Sequence, residues 1–314
     1  MKEKDITANE YMSDPERFAD VFNYFAFDGV PVIKPENLEE KEAAERIVID
    51  ELKKIIAYNK LRDIIKHCTV KADEHAMMVL LGIENQSELH YAMVIRNMLY
   101  DSINYSRQVQ ALAAKHKQNK DAKNSAEFLS GITPEDKILP VITLVINWSD
   151  QKWEAPRRLS DMFENPKSEI IKYVSDYSIN LLDPHEIEDF NKFSTELGDV
   201  FELIKRQNED GVFYDMQSRK GDDWSMTKES IKMVNMFTGA NISTESAEGG
   251  KVKMCRLTQS ILEDGIEKGI GQGRDEGITG AVMLLRGLGL DDKAISEKIC
   301  EQYNLSPKQA KKYL

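Results

Sequence analysis

Three observations predict an α/β fold for this 314-residue chain. Residues 63–70 and 77–83 are short apolar runs that read as two strands around the polar loop 71–75. Residues 139–148 form a continuous apolar run of the kind buried inside a sheet. Between these runs, Tyr91, Val94, Ile95, Met98, Leu99, Ile103 and Tyr105 recur at helical spacing, so an amphipathic helix continuing to about His116 joins the strands.

The remaining elements follow in order. Residues 14–25 read as a helix, with Asp14 at the N-cap, Pro15 in the first turn and Phe18, Val21, Phe22 and Phe25 on one face. Asp28-Gly29 marks a turn, residues 30–33 a short extended segment, and residues 40–59 a charged, helix-compatible stretch. Residues 115–124 are too polar to pack and read as a solvated end or loop. Residues 177–182 read as a strand ended by Asp183-Pro184, followed by helices over 187–207 and 226–237. The composition divides the chain into a domain over 1–237, a linker over 238–262 and a helical region over 263–314.

That last region has its own signature. Gly265, Gly269, Gly273 and Gly277 recur every four residues among charged side chains. On a helix they form one slowly turning stripe where two backbones can approach; as a linker they simply confer flexibility. Residues 291–303 and 306–314 predict a small helical hairpin beyond it, with Ser306-Pro307 as a helix start.

Composition excludes several classes. The three cysteines are far apart, which leaves neither a disulfide framework nor a cysteine zinc site and indicates a reducing cytoplasm. The charged N-terminus lacks the apolar core of a signal peptide, and no apolar run is long enough to span a bilayer, so no membrane partner is expected. The formal charge of −12 opposes nucleic-acid binding over the whole surface, although a local basic groove is compatible with it. The five histidines show no paired metal spacing such as HExxH. The glycines of 269–273 follow no strand and precede no Gly-Lys-Ser/Thr, so they are not a nucleotide loop.

The candidate site lies on the hairpin. In an antiparallel pair, the numbers of opposed residues add to a constant. A turn centred on Asp73-Glu74 makes that constant 147, which sets Asp63 directly opposite Glu84. Their Cβ atoms are then about 5 Å apart on one face. Gln86 shares that face, and Lys66, an odd number of residues from Asp63, points to the other. Two carboxylates this close repel unless a cation sits between them. Magnesium suits such an oxygen site, with water and substrate phosphate completing its shell. A solvated acidic pair without a role fits the same spacing.

The run Leu81-Gly82-Ile83-Glu84-Asn85-Gln86-Ser87-Glu88-Leu89-His90-Tyr91-Ala92-Met93 resembles the Rpn family of recombination-promoting nucleases and putative transposases, also called YhgA-like. Tyr100-Asp101-Ser102-Ile103-Asn104-Tyr105-Ser106-Arg107-Gln108 follows it in the same likeness, as do residues 17–23, 62–66 and 139–145. These are nucleases of the PD-(D/E)XK superfamily. The resemblance covers most of residues 14–215 and implies a restriction-endonuclease-like mixed central sheet flanked by helices, with a helical C-terminal extension.

By that resemblance, Asp63 and Glu84 hold magnesium, and Gln86 stands where the superfamily usually has lysine. Glutamine brings no positive charge to the attacking water. Asp20 becomes the acid of the superfamily's first motif, with Glu51 as the alternative. Tyr105 and Gln108, one helical turn apart, become contacts to substrate. The implied function is a magnesium-dependent DNA endonuclease acting in recombination or transposition-like events, with a homodimer through the C-terminal region. Two rivals stand beside it: an inactive nuclease fold that binds DNA or protein, and a regulator that binds DNA through residues 288–314.

Overall fold

The computed structural model describes residues 3–40, 64–70, 77–245, 247, 249–254 and 273–314. Strand pairing organises the first of two units, Met1–Val212 with Met226–Val252. β2 (Ile64–Val70) and β3 (Met77–Gln86) run antiparallel, and their paired positions add to 147 from Ile64 opposite Ile83 to Val70 opposite Met77. This is the constant that a turn centred on residues 73 and 74 predicts. β3 pairs in parallel with β4 (Val141–Asn147), and β4 in parallel with β5 (Asn180–Leu182). β1 (Leu38–Glu40), which sequence reading missed, pairs with β2. The mixed five-stranded sheet has the order β1-β2-β3-β4-β5, with β3 at its centre.

Side chains alternate across a strand, so the sheet has two unlike faces. Ile64, Lys66, Cys68, Leu81, Ile83 and Asn85 share one face. It is covered by α1 (Glu3–Met12), an unexpected helix, and α2 (Pro15–Phe27). Lys66 is buried there. Its Nζ donates to Ser13 O at 2.8 Å and lies 5.2 Å from the centre of the Phe18 ring. Both partners help offset the cost of burying an ammonium group.

At the end of β4, Trp148 packs among Tyr11, Phe201 and Phe237, with ring centres 6.5, 4.9 and 5.6 Å away. Phe201 belongs to α5 (Leu197–Lys205) and Phe237 to α7 (Lys228–Thr238). Trp148 Nε1 donates to Asn85 Oδ1 at 2.7 Å, and Asn85 Nδ2 donates to Asn9 Oδ1 on α1 at 2.7 Å. These bonds fix the end of the central strand.

The opposite face carries Gly82, Glu84, Gln86, Thr143 and Val145, and α3 (Met93–Asn119) covers it. Met93, Val94, Val145, Trp153, Ala155 and Ile179 form its apolar cluster. The predicted helix is present, but its buried face is rotated from the expected one. Tyr91 and Ile95 are exposed, whereas Asn97, Tyr100, Asp101 and Asn104 are buried beside Met93 and Val94. Polar partners on the sheet make this polar stripe tolerable.

Local chemistry explains the other boundaries. Asp14 accepts hydrogen bonds from the N–H groups of Glu16 and Arg17, as an N-cap before Pro15 should. The helix expected over 187–207 is shorter. Turns at Pro184–Glu186 and Phe190–Lys192 precede α5, capped by Asp183 on His185 N and Asp189 on Asn191 N, and Asp20 takes the N–H groups of Ser194 and Thr195. Thr227 caps α7 through Ser230 N, and a two-stranded sheet pairs β6 (Ser225–Thr227) with β7 (Lys251–Lys253). Most of the stretch 40–59 lies outside the described residues.

The second unit comprises Phe213–Ser225 and Lys253–Leu314. α6 (Val212–Lys220) falls largely within it. Farther on, α8, described from residue 273 to 287, packs with α9 (Asp292–Tyr303) and α10 (Pro307–Ala310) around Ile278, Val282, Ile295, Ile299 and Ala310. Asp291 caps α9, and Ser306 with Gln309 forms a capping box at α10. Gly265 and Gly269 lie outside the described residues. A Cβ at Gly273 would meet nothing within 4 Å, and one at Gly277 would meet the Tyr303 hydroxyl at 3.7 Å. Packing against other described residues does not require glycine at either position. Among the described residues, no helix is long and apolar enough to cross a membrane.

The far end of α3 bears an ionic clasp. Lys120 ends the helix in the left-handed conformation, and α4 (Ser125–Ser130) follows, capped by Asn124. His116 reaches Asp121 Oδ1 through Nδ1 and Asp136 Oδ2 through Nε2, both at 2.8 Å. Its pKa is raised, first by the bond to Asp121 and then by that to Asp136, and both carboxylates are held low. A raised histidine pKa stabilises below its ordinary value of 6.5 and loses that effect as pH rises through the folded value. The lowered carboxylates lose theirs as pH falls. Proteolysis of residues 121–136 should therefore be slowest at mildly acidic pH and accelerate above it, and His116→Gln should flatten that rise. A rate that stays level in the wild-type protein would rule the clasp out.

Candidate active site

The alternation of β3 sets Glu84 and Gln86 side by side on the α3 face, level with Val145 and Asn147 of β4. Glu84 is wholly buried. Its Oε2 lies 3.2 Å from Arg96 Nη2, and the Arg96 side chain keeps 31% of its exposure. Arg96 Nε in turn donates to Tyr100 Oη at 2.8 Å, and its Cζ lies 5.4 Å from the centre of that ring. A carboxylate removed from water demands such a cation. Gln86 is also buried, and its Nε2 donates to Asn85 O at 2.9 Å.

Alongside this pair runs a polar network that sequence reading did not identify. Asp101 accepts from Thr143 Oγ1 at 2.7 Å and from Tyr177 Oη at 2.5 Å. Asn97 Nδ2 donates to Tyr177 Oη at 2.9 Å, and Asn104 Nδ2 to Tyr100 O at 2.9 Å. The Oδ1 atoms of Asn97 and Asn104 are buried and have no hydrogen-bond partner among the described residues. A signal did exist: Asn97, Asp101 and Asn104 stand four and three residues apart, which makes them one helical stripe. His90 is half-buried just before α3. Burial, and then the nearby Arg96 charge, hold its pKa below the ordinary 6.5, so its imidazole is neutral at pH 7.

The other predicted residues are placed as follows. Asp63 lies one position before β2, outside the described residues. The constant 147 on which its pairing with Glu84 was argued holds along the described hairpin. Asp20 is buried on α2, which covers the other face of the sheet, so the structure does not bring it to Glu84. Its Oδ1 accepts from Ser194 N and Oγ at 2.8 and 2.9 Å, and its Oδ2 from Thr195 N and Oγ1 at 2.9 and 2.6 Å. Asp20 thus anchors the approach to α5. Glu51, the alternative first acid, is outside the described residues.

Tyr105 and Gln108 are likewise engaged elsewhere. Val141 N donates to Tyr105 Oη at 3.1 Å. Gln108 Oε1 accepts from Leu139 N at 2.6 Å, and its Nε2 donates to Leu139 O at 3.0 Å. They secure the entry to β4, whereas Glu84 stands level with Val145, about 13 Å farther along the strand.

Among the described residues, no three of His, Cys, Asp or Glu gather as a metal-holding group. Glu84 and Gln86 do present hard oxygen donors on one face, a chemistry that suits magnesium. The described part contributes a single carboxylate, already facing a guanidinium, so the fit depends on a second acid from the 41–63 segment. Comparison of the chain with protein-family models, curated proteins and solved structures finds no match.

Replacing Asp20 with alanine removes a buried acceptor of four bonds from the part-exposed Ser194 and Thr195. We expect Asp20→Ala to lower unfolding free energy by roughly 1–3 kcal/mol in urea denaturation, through loss of these bonds. Unchanged stability, with nuclease activity lost, would return Asp20 to the catalytic set.

Proposed function

We propose that this chain is a magnesium-dependent endodeoxyribonuclease with a restriction-endonuclease-like fold, resembling the Rpn branch of the PD-(D/E)XK nucleases and acting in the cytoplasm in recombination or transposition-like events. One observation supports the reading: Glu84 and Gln86 sit together on the buried face of the central strand, at the open end of a hairpin whose described pairs add to 147. In this reading Asp63 and Glu84 hold the metal, and Gln86 orients water through its amide. Magnesium, when bound, polarises the phosphodiester and lowers the pKa of water. The surrounding apolar cluster of Met93, Val94 and Val145 limits access of bulk water and strengthens the field at Glu84.

A second reading has its own support. Arg96 already compensates Glu84, Gln86 lacks the charge of lysine, and the chain carries −12 overall. These features suit a nuclease fold retained to bind DNA or protein.

Plasmid relaxation separates the two. With magnesium, supercoiled DNA should be nicked by the wild-type protein, and Asp63→Asn and Glu84→Gln should each slow nicking by about a hundredfold or more, beyond the usual cost of an outer-shell partner. Equal rates in the variants would remove the site; DNA retention without any nicking would favour the binding module.

We also assign dimer formation to α8. Met283 and Leu284 are exposed at 69 and 66% on the side away from Ile278 and Val282. Leu284→Glu should shift the sedimentation coefficient from dimer to monomer, and a monomeric wild-type protein would refute the assignment.

A further inference from the structure

We infer that the lobe at the far end of α3, residues 115–131, docks on an anionic lipid bilayer, with its lysines at the headgroups and Phe128 and Leu129 in the outer acyl layer. The inference does not rest on the nuclease reading, and it concerns the end of α3 away from Glu84 and Arg96.

Charge is the first support. Residues 115–123 hold Lys115, Lys117, Lys120 and Lys123 against one acid, Asp121, in a chain of formal charge −12. All four lysines are exposed. Among the described residues, none of their ammonium groups lies within ion-pair distance of a carboxylate. The acids beside them are committed to bonds within the lobe. Asp121 meets His116 Nδ1 at 2.8 Å, and Glu127 accepts from Lys123 N at 2.6 Å and Asn124 Nδ2 at 2.9 Å.

Helix-terminal charge does not account for this cluster. His116 and Lys117 in the last turn of α3 suit the helix dipole. Lys120 and Lys123 lie past that turn. Lys120 occupies the left-handed C-cap, at φ 55° and ψ 40°, where glycine is the common choice because a side chain costs energy there.

The apolar pair is the second support. Phe128 and Leu129, adjacent on α4, are 78 and 84% exposed. A single exposed apolar residue is ordinary, but a neighbouring pair beside a lysine cluster is the composition of an interfacial anchor. The backbone that carries them is held in place. Asn124 accepts from Glu127 N at 3.0 Å at the start of α4, and Gly131 ends it at φ 74°. A Cβ on Gly131 would meet Ala113 Cβ at 2.6 Å, so the end of α4 sits close against α3. His116 ties Asp121 and Asp136 on either side of α4. Phe128 and Leu129 are thus fixed outward.

The same features select the occupant. Two side chains fall well short of the roughly 800 Å² per partner of a stable protein interface. Duplex DNA pairs with lysines through phosphate, but apolar side chains enter it only by prising base steps apart. An anionic bilayer receives both halves, since its headgroups attract the lysines and its acyl boundary takes Phe128 and Leu129. Its surface field fades within about 8 Å at physiological ionic strength, so the lobe and not the distant acids of the chain governs the attraction. Such docking needs no spanning segment, and among the described residues no helix is long and apolar enough to be one.

The test sediments the full chain with vesicles of phosphatidylcholine alone or mixed with phosphatidylglycerol, at low and high salt. It compares wild type, Lys117→Gln with Lys120→Gln, and Phe128→Ser with Leu129→Ser. Binding of a fluorescein-labelled DNA duplex is followed by anisotropy in parallel. All four substituted side chains are exposed, and an unchanged urea midpoint confirms that each variant folds.

Wild type should bind the mixed vesicles, leave pure phosphatidylcholine unbound, and bind less as salt rises. The lysine variant should lose roughly tenfold or more of its partitioning at low salt. The Phe128 and Leu129 variant should lose a similar factor at both salts. Wild type that ignores the mixed vesicles would overturn the inference whatever the variants do, as would binding that both variants keep. Loss in the lysine variant alone would overturn the insertion of Phe128 and Leu129. Lysine-dependent binding of duplex without binding of vesicles would overturn the lipid assignment and make the lobe a nucleic-acid contact.

Discussion

Glu84 is a wholly buried acid, and much of the first unit is arranged to hold it beside a cation. A carboxylate in such a place costs several kcal/mol unless an opposite charge meets it. Arg96 meets it, and Tyr100 holds Arg96. This requires α3 to lie along the Glu84 face with Arg96 directed at β3. The apolar contacts of Met93 and Val94 with Val145 fix that placement at one end of the helix. Tyr105 and Gln108 fix it near the middle of the helix by holding the chain entering β4. The polar network around Asp101 fills the space between.

The central strand serves two environments at once. On one side, Asn85 joins Asn9 and Trp148, and Lys66 is lodged against Phe18. On the other, Glu84 and Gln86 face α3. The unexpected helix α1 matters here, since it supplies Asn9 and carries Tyr11 against Trp148. Together these contacts make the end of β3 a rigid support, and rigidity is what a binding or catalytic constellation requires of its scaffold.

Much of this was legible in the sequence. Strands β2, β3 and β4 announced themselves as short apolar runs, and the hairpin register followed from loop symmetry alone. Asp14 and Pro15 marked the start of α2 by known capping chemistry. The misses share a physical cause, which is that tertiary partners decided them. Nothing local reveals that Asp20 will meet Ser194 and Thr195, more than 170 positions away. On α3 the helical period is visible and Val94 is buried as expected, but apolar spacing alone points Tyr91 and Ile95 inward, where the structure leaves them exposed. Thr143 and Tyr177 make Asp101 an inward-facing residue instead. Strand parity is local, so it sets Glu84 and Gln86 on one face, as the structure has them; the contact of Glu84 with Arg96 spans twelve positions across a turn and has no such local signal.

The buried Lys66 has one more consequence, for error rather than for stability. A sheet can in principle assemble with two strands shifted by a single residue, which reverses every side chain of the slipped strand. Here such a slip would carry the Lys66 ammonium away from Ser13 and Phe18 and onto the α3 face, and Ile64 and Cys68 would lose their apolar cover. The lysine thus acts as a proofreading mark on the hairpin, since it penalises the mispaired strand.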